Sequence, residues 1–408
     1  MLSRWIAKIN RHSSLGPAAL IVCLLTVGRN PSFFIAPRIW AEEGSVYLKS
    51  ALETGSATAF FQSHLGYYSL FNKLVILAGT TLFPLDYLAY VTTGISAVLQ
   101  LCTSFVIYES TGRLGDGKLK RLLYCLLPLL LSTPEAWLNS INCQFWLATG
   151  TFFILNSRKI SFFQAAYIGM AFMTGVSSLI FLPFFIGRLL KEKTSSLYAI
   201  ILMGAISVPV QIASVFNYVQ LEAGNGDRFK LEYFANFLGG VISTASPFGG
   251  SNPVLTILYF LLVTAGLYYF AKSLLDKRDC SGLVYTLGAL SLYILLSVFS
   301  SLQMLGGGRY GLPVYCGLFA IAISAAPTQE SISNAIIDFI KFSLLILLAL
   351  KAITFFDVSS VYSANWPMWQ KQVQARSCKN PSDIKIFPRW EGVDWKVTIP
   401  TGAGIECR

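Results

Sequence analysis

Three segments of the 408-residue sequence carry side chains able to do chemistry. The first, RIWAEEGSVYLKSAL, sets Glu42 and Glu43 side by side after Trp40. Paired carboxylates can take a proton as a general base, bind a cation or simply be solvated loop charges. The second, PEAWLNSINCQFWLA, interleaves Asn139, Asn142 and Gln144 with Trp137 and Trp146. Amides among aromatic rings suit sugar hydroxyls, but asparagine also caps helix starts and tryptophan also marks membrane interfaces. The third, GGGRYGLP, holds Arg309 and Tyr310 behind three glycines. Glycine lets a backbone approach a ligand closely, and a guanidinium grips phosphate through two hydrogen bonds. The competing reading is a tight turn with an interfacial arginine. His64, Tyr67 and Lys73 are further binding candidates, for which the structural reading comes first. No zinc spacing and no nucleotide-binding loop occur, so neither a metal nor a cofactor is expected. Two adjacent glutamates make only a weak case for a divalent ion.

The rest of the chain says where such groups must sit. Hydrophobic residues make up 54% and charged residues 12%, about half the charge of an average soluble domain. Mean hydropathy is +0.59, and apolar runs recur along the chain, as in a membrane protein. The net charge of +11 is dispersed in small clusters between those runs. No basic-aromatic module is present, which excludes nucleic acid as a partner. Arg4, Lys8 and Arg11 precede an apolar run with no small-residue cleavage pattern, so this run reads as a first membrane helix rather than a signal peptide. Cys23, Cys102, Cys125 and Cys316 lie within apolar runs as core residues, whereas Cys378 and Cys407 lie in the polar tail and can pair if that tail is extracytoplasmic.

The expected spans are 15–32, 86–108, 119–133, 143–156, 160–174, 177–190, 196–217, 253–274, 283–302, 310–325 and 334–356. The stretch 69–84 is ambiguous, because it is short and contains Asn72 and Lys73. If it lies on the surface, the N-terminus, 109–121, 157–159, 188–193 and 272–278 all fall on the cytoplasmic side with their Lys and Arg. If it crosses, every cluster after the first moves outside, against the positive-inside rule. The surface reading wins, although the loop 326–333 lacks a basic residue. The expected fold is therefore an all-α polytopic membrane protein with about eleven transmembrane helices and an interfacial helix in the first outer loop. Residues 1–356 form the membrane domain, with outer loops 33–85 and 218–252, and 357–408 form a small, irregular outer tail. Only Asp338 and Lys341 stand out as charges within spans. The three chemical segments then share the outer face.

Taken together, W-A-E-E-G, L-N-S-I-N-C-Q-F-W, S-L-I-F-L-P-F-F-I-G-R-L-L, G-R-Y-G-L-P and a final strand-like W-K-V-T-I-P resemble the GT-C-type integral-membrane glycosyltransferases. The likeness is nearest to the phage- or island-encoded serotype-converting enzymes that decorate O-antigen. It implies a bacterial inner-membrane protein, N-terminus cytoplasmic and C-terminus periplasmic, with a GT-C-like membrane domain. It implies transfer of a sugar, glucose in the serotype-converting group, from an undecaprenyl-phosphate donor to O-antigen or a similar polysaccharide. A carrier-lipid glycosyl synthase and a flippase would supply the donor. The family's carboxylate carries over to Glu43, with Glu42 beside it. Arg309 would stabilise the departing lipid phosphate, while Asn139, Asn142 and Gln144 would position sugar or acceptor. An O-antigen polymerase or ligase and a lipid-linked-oligosaccharide transporter are the alternatives.

Overall fold

The computed structural model describes residues 15–64, 66–110, 112, 114, 115, 117–221, 231–248, 252–277, 279–300, 308–325, 331–353, 368–376, 382–386 and 395–399. The Cys378–Cys407 pairing, the basic N-terminal residues, Arg113, Arg228, Lys230, Arg278, Gly306, Gly307, Trp366 and Trp390 lie outside these residues.

A backbone in hydrocarbon must satisfy its own N–H and C=O groups, and helices do so within one segment. The described residues are accordingly 81% helical and all-α in class. Among the described residues, each stretch expected to span contains helix. In chain order these helices are α1 (Leu15–Arg29), α2 (Leu70–Leu82), α3 (Leu88–Glu109), α4 (Lys118–Leu131), α5 (Cys143–Leu155), α6 (Phe162–Thr174), α7 (Leu182–Glu192), α8 (Ser195–Leu221), α9 (Leu231–Ala245), α10 (Pro253–Asp276), α11 (Ala289–Ser300), α12 (Leu312–Ser324) and α13 (Ser331–Ile353). Among the described residues, Leu85–Glu109, Ser195–Asn217, Pro253–Asp276 and Cys280–Val298 are helical segments long and apolar enough to cross a membrane. Gly16–Arg29, Leu70–Leu82, Cys143–Leu155 and Phe162–Thr174 are shorter apolar helices.

The bundle is apolar at its surface as well as in its core. All of α12 is buried, and so is nearly all of α5, with Phe152, Phe153 and Phe319 at 0% exposure. Around this pair, α8, α10 and α13 turn Leu202, Leu261 and Phe342 outwards at more than 60% exposure. Large apolar side chains presented this widely need lipid rather than water. This is a membrane protein.

Three expectations are corrected. The segment 218–252 is not merely a loop, because α9 lies within it and packs on α11 and α12. Its Gly239 and Gly240 lower helix propensity, and tertiary packing overrides them. The tail is not irregular either. It forms helix α14 (Trp369–Arg376) and an antiparallel hairpin of β1 (Ser382–Lys385) and β2 (Lys396–Ile399). The period-two alternation of Ile384 and Ile386 against Val397 and Ile399, all buried, was the available sign of strands. Finally, the buried charges are not Asp338, which is exposed, or Lys341, which is half-buried. Among the described residues of the expected spans they are Arg29, Asp86 and Arg188. Arg188 donates to the carbonyls of Leu155 (2.9 Å) and Ser157 (3.0 Å) and to Glu192 Oε1 (2.8 Å). It thereby caps the C-terminal end of α5, where a cation meets carbonyls that have no partner in the helix.

Candidate active site

Four distant segments meet at one end of the bundle. After Trp40 the chain enters a π-turn, Glu43–Leu48, whose extra residue per turn is a frequent mark of functional sites. The turn points Glu43 into the protein at 0% exposure, while Glu42 stays half-buried at the rim. Glu43 Oε2 accepts from the Trp40 N–H (2.9 Å). Its Oε1 accepts from the Ser140 N–H (2.5 Å) and meets Ser140 Oγ at 2.5 Å. Ser140 Oγ also meets Oδ1 of the buried Asn72, at the start of α2. One hydroxyl hydrogen cannot serve two acceptors, so this arrangement suits a protonated Glu43. Ser140 Oγ donates to the ionised carboxylate, and when Glu43 is protonated it accepts from the carboxyl and donates on to Asn72 Oδ1. Burial pushes the Glu43 pKa up to about 7, against the pull of the Ser140 and Trp40 hydrogen bonds, with Glu42 adding a little more.

Ser140 is delivered by the turn between α4 and α5, and that turn is strained. Leu138 holds a left-handed φ of 51°, a conformation uncommon for a non-glycine residue and often kept where function needs it. The Asn139 and Asn142 side-chain amides donate to the Glu135 carbonyl at 2.7 and 2.8 Å, and Asn139 Oδ1 accepts from the Asn142 N–H at 3.0 Å. Trp146 Nε1 donates to the Ala136 carbonyl at 2.8 Å. Both asparagines are buried, and their amides hold this turn rather than face outwards. Gln144 Oε1 accepts from Ser177 Oγ (3.4 Å) and lies against Gly175, beside the turn but not in the carboxylate cluster.

Arg309 closes the cluster from the turn before α12. Its Nη1 pairs with Glu135 Oε1 at 2.8 Å and donates to Asn142 Oδ1 at 3.2 Å. Burial works against the charge of Arg309, but Glu135, Tyr310 and Glu42 outweigh it and hold the guanidinium pKa above its ordinary value. Burial likewise raises the pKa of Glu135, with Arg309 pulling the other way. Tyr310 packs edge-on against Phe145, with ring centroids 5.1 Å apart. Glu42 interacts electrostatically with Arg309, Glu135, Tyr47 and Tyr67, and its Oε2 accepts no hydrogen bond. Tyr67 faces both Glu42 and Arg309, so it belongs to the cluster.

His64 and Lys73 lie one layer away. The His64 ring packs edge-on to Tyr47 at 5.2 Å, and burial with the nearby Lys73 charge lowers its pKa to about 4, leaving it neutral. Lys73 Nζ donates to the Ala59 carbonyl at 2.7 Å and sits 5.4 Å from the rings of Tyr47 and Tyr68. Burial lowers its pKa to about 8. It staples α2 to the helical turn Ser56–Phe61 and does not reach the carboxylates. Among the described residues no His, Cys, Asp and Glu cluster is arranged to hold a metal ion. Sequence reasoning missed Ser140, Asn72, Glu135 and Tyr47. Glu135 and Ser140 stood within a segment already singled out, whereas Asn72 was read only as an obstacle to burial. Neither models of known protein families nor curated proteins match the chain.

Proposed function

We propose that this protein is a GT-C-like glycosyltransferase of the bacterial inner membrane. It takes a sugar from a polyprenyl-phosphate donor and passes it to a polysaccharide acceptor on the periplasmic face. One observation carries the reading: Glu42, Glu43, Arg309 and Tyr67, from segments far apart in sequence, gather at one end of an apolar helical bundle. A carboxylate beside a guanidinium is the pair this transfer needs. The carboxylate takes the proton of an acceptor hydroxyl as it attacks the anomeric carbon. The guanidinium steadies the departing lipid phosphate, which is already a stable anion and needs no general acid.

Geometry divides the two glutamates. Glu43 is enclosed and both of its oxygens are engaged, so it suits the task of pinning the turn. Glu42, half-buried with Oε2 unbonded and Arg309 nearby, suits the base. Arg309 uses Nη1 for Glu135 and Asn142, which leaves its Nε–Nη2 edge for a phosphate.

The contacts also support the scheme of about eleven crossings. Two residues in contact at the membrane face are separated by an even number of crossings. Glu43 meets Ser140, with α3 and α4 crossing between them, so α2 must stay on one side. Asn142 meets Arg309, which is even only if α9 does not cross. Asp86, ahead of α3, meets Gln374 of α14 at 2.9 Å, so the first loop and the tail share a side.

The direct test is transfer by the purified protein from a radiolabelled polyprenyl-phosphate hexose to lipid-linked O-antigen. Protein-dependent label in the polysaccharide, with stoichiometric release of polyprenyl phosphate, is expected. Chain lengthening without sugar transfer would favour the polymerase.

A further inference from the structure

The tail reaches back over roughly the whole chain to touch the carboxylate turn. Ile386, at the end of β1, lies against the backbone of Gly44, the residue immediately after Glu43. A Cβ at position 44 would fall 2.7 Å from Ile386 Cδ1, 2.8 Å from Ile386 Cγ1 and 3.0 Å from Ile39 Cγ2. Real Cβ atoms do not come within 3.0 Å of a neighbour, so an alanine here would push the Ile386 side chain out of its place. The hairpin is built to hold this position. Ile384, Ile386, Val397 and Ile399 are all buried, and the Ile386 N–H extends the ladder to the Trp395 carbonyl at 2.8 Å. A second anchor lies next to it: Trp369 Nε1 of α14 donates to the Leu85 carbonyl at 2.9 Å, and Gln374 donates to Asp86.

We propose that the C-terminal hairpin is a positioning element of the site, with Ile386 bracing the Glu42–Glu43–Gly44 turn through the bare α-carbon of Gly44. A tail that only covered the loop would not need backbone contact at the residue beside the carboxylates. The brace fixes the turn from outside, while Ser140 and the Trp40 N–H fix it from inside. This rests on the reading that the turn is catalytic.

The test uses the full-length protein in lipid nanodiscs, comparing Gly44→Ala, Ile386→Ala and the double variant. Two quantities are read: the sugar-transfer rate, and the infrared titration of the protonated Glu43 carboxyl, assigned by its loss in Glu43→Gln. Around that carboxyl lie Glu42, Ser140, Asn72 and the Trp40 N–H. Gly44→Ala should slow transfer by about 10- to 100-fold, the range set by an ångström of misplacement. It should also move the Glu43 midpoint from near 7 towards the ordinary carboxylate range. The double variant should recover most of both, with Ile39 limiting the rest. A wild-type rate and midpoint in Gly44→Ala would overturn the proposal, as would a double variant no better than Gly44→Ala. If Gly44→Ala does not accumulate folded, Ile386→Ala decides alone: a displaced midpoint supports the brace and an unmoved one overturns it. Wild-type transfer by both Glu42→Gln and Glu43→Gln would remove the catalytic reading, while the infrared midpoint would still judge the brace.

Discussion

Raising the pH should destabilise this protein through one residue. Glu43 titrates near 4.5 when unfolded and at about 7 when folded. Between those values the native state holds a proton that the unfolded chain has released, so stability falls as pH rises. The contribution is complete below the unfolded pKa and gone above the folded one. A shift of that size is worth about 3 kcal/mol, at 1.36 kcal/mol per pKa unit. For a chain of this length it corresponds to roughly 3–4 °C in Tm. The assay is thermal unfolding in detergent at about pH 5 and about pH 8, comparing wild type with Glu43→Gln. Glutamine cannot ionise, so the variant should lose this share of the pH dependence. Its absolute stability should be lower, since its amide nitrogen meets the Trp40 N–H without an acceptor. The comparison therefore rests on the slope with pH. Identical slopes in the two proteins would refute the upward shift and the burial argument beneath it.

Other outcomes follow from the same geometry. Arg309→Ala should lower kcat/KM for the lipid-linked donor by about 10- to 100-fold, as for a charged hydrogen bond worth ~1.5–3 kcal/mol, and should also lower Tm because Glu135 loses its cation; steady-state kinetics in nanodiscs and thermal unfolding would check it. Arg188→Ala should cost about 3–5 kcal/mol, because it leaves the carbonyls at the end of α5 and Glu192 without their cation. A clear drop in melting temperature measures that, at a site far from the carboxylates. A periplasmic reporter fused after residue 408 should be active, and activity of a cytoplasmic reporter there would overturn the crossing scheme.

Much of the helical layout was legible because lipid imposes one rule everywhere: an apolar run becomes a helix. The site was legible by segment more than by residue. The pair Glu42–Glu43 was visible, yet which of them faces inwards depends on the π-turn, which no local pattern announces. Asn139 and Asn142 were selected for the hydrogen bonds an amide can offer, but those bonds hold the Glu135–Asn142 turn. Arg309 looked like a free phosphate donor because Glu135, far away in sequence, pairs with it only through the fold. Of the hairpin, the strand in W-K-V-T-I-P was legible, whereas β1, four residues long, is too short for period two to stand out.

The central claim is tested most directly by the mass and sugar composition of lipopolysaccharide from a host that supplies donor and acceptor. Cells would express the wild-type chain, Glu42→Gln, Glu43→Gln or an empty vector, at matched protein levels. The account predicts a hexose-sized increment with the wild type, its loss in Glu42→Gln and a reduced share in Glu43→Gln. Lipopolysaccharide identical to the empty control with the wild-type chain would contradict the assignment as a glycosyltransferase.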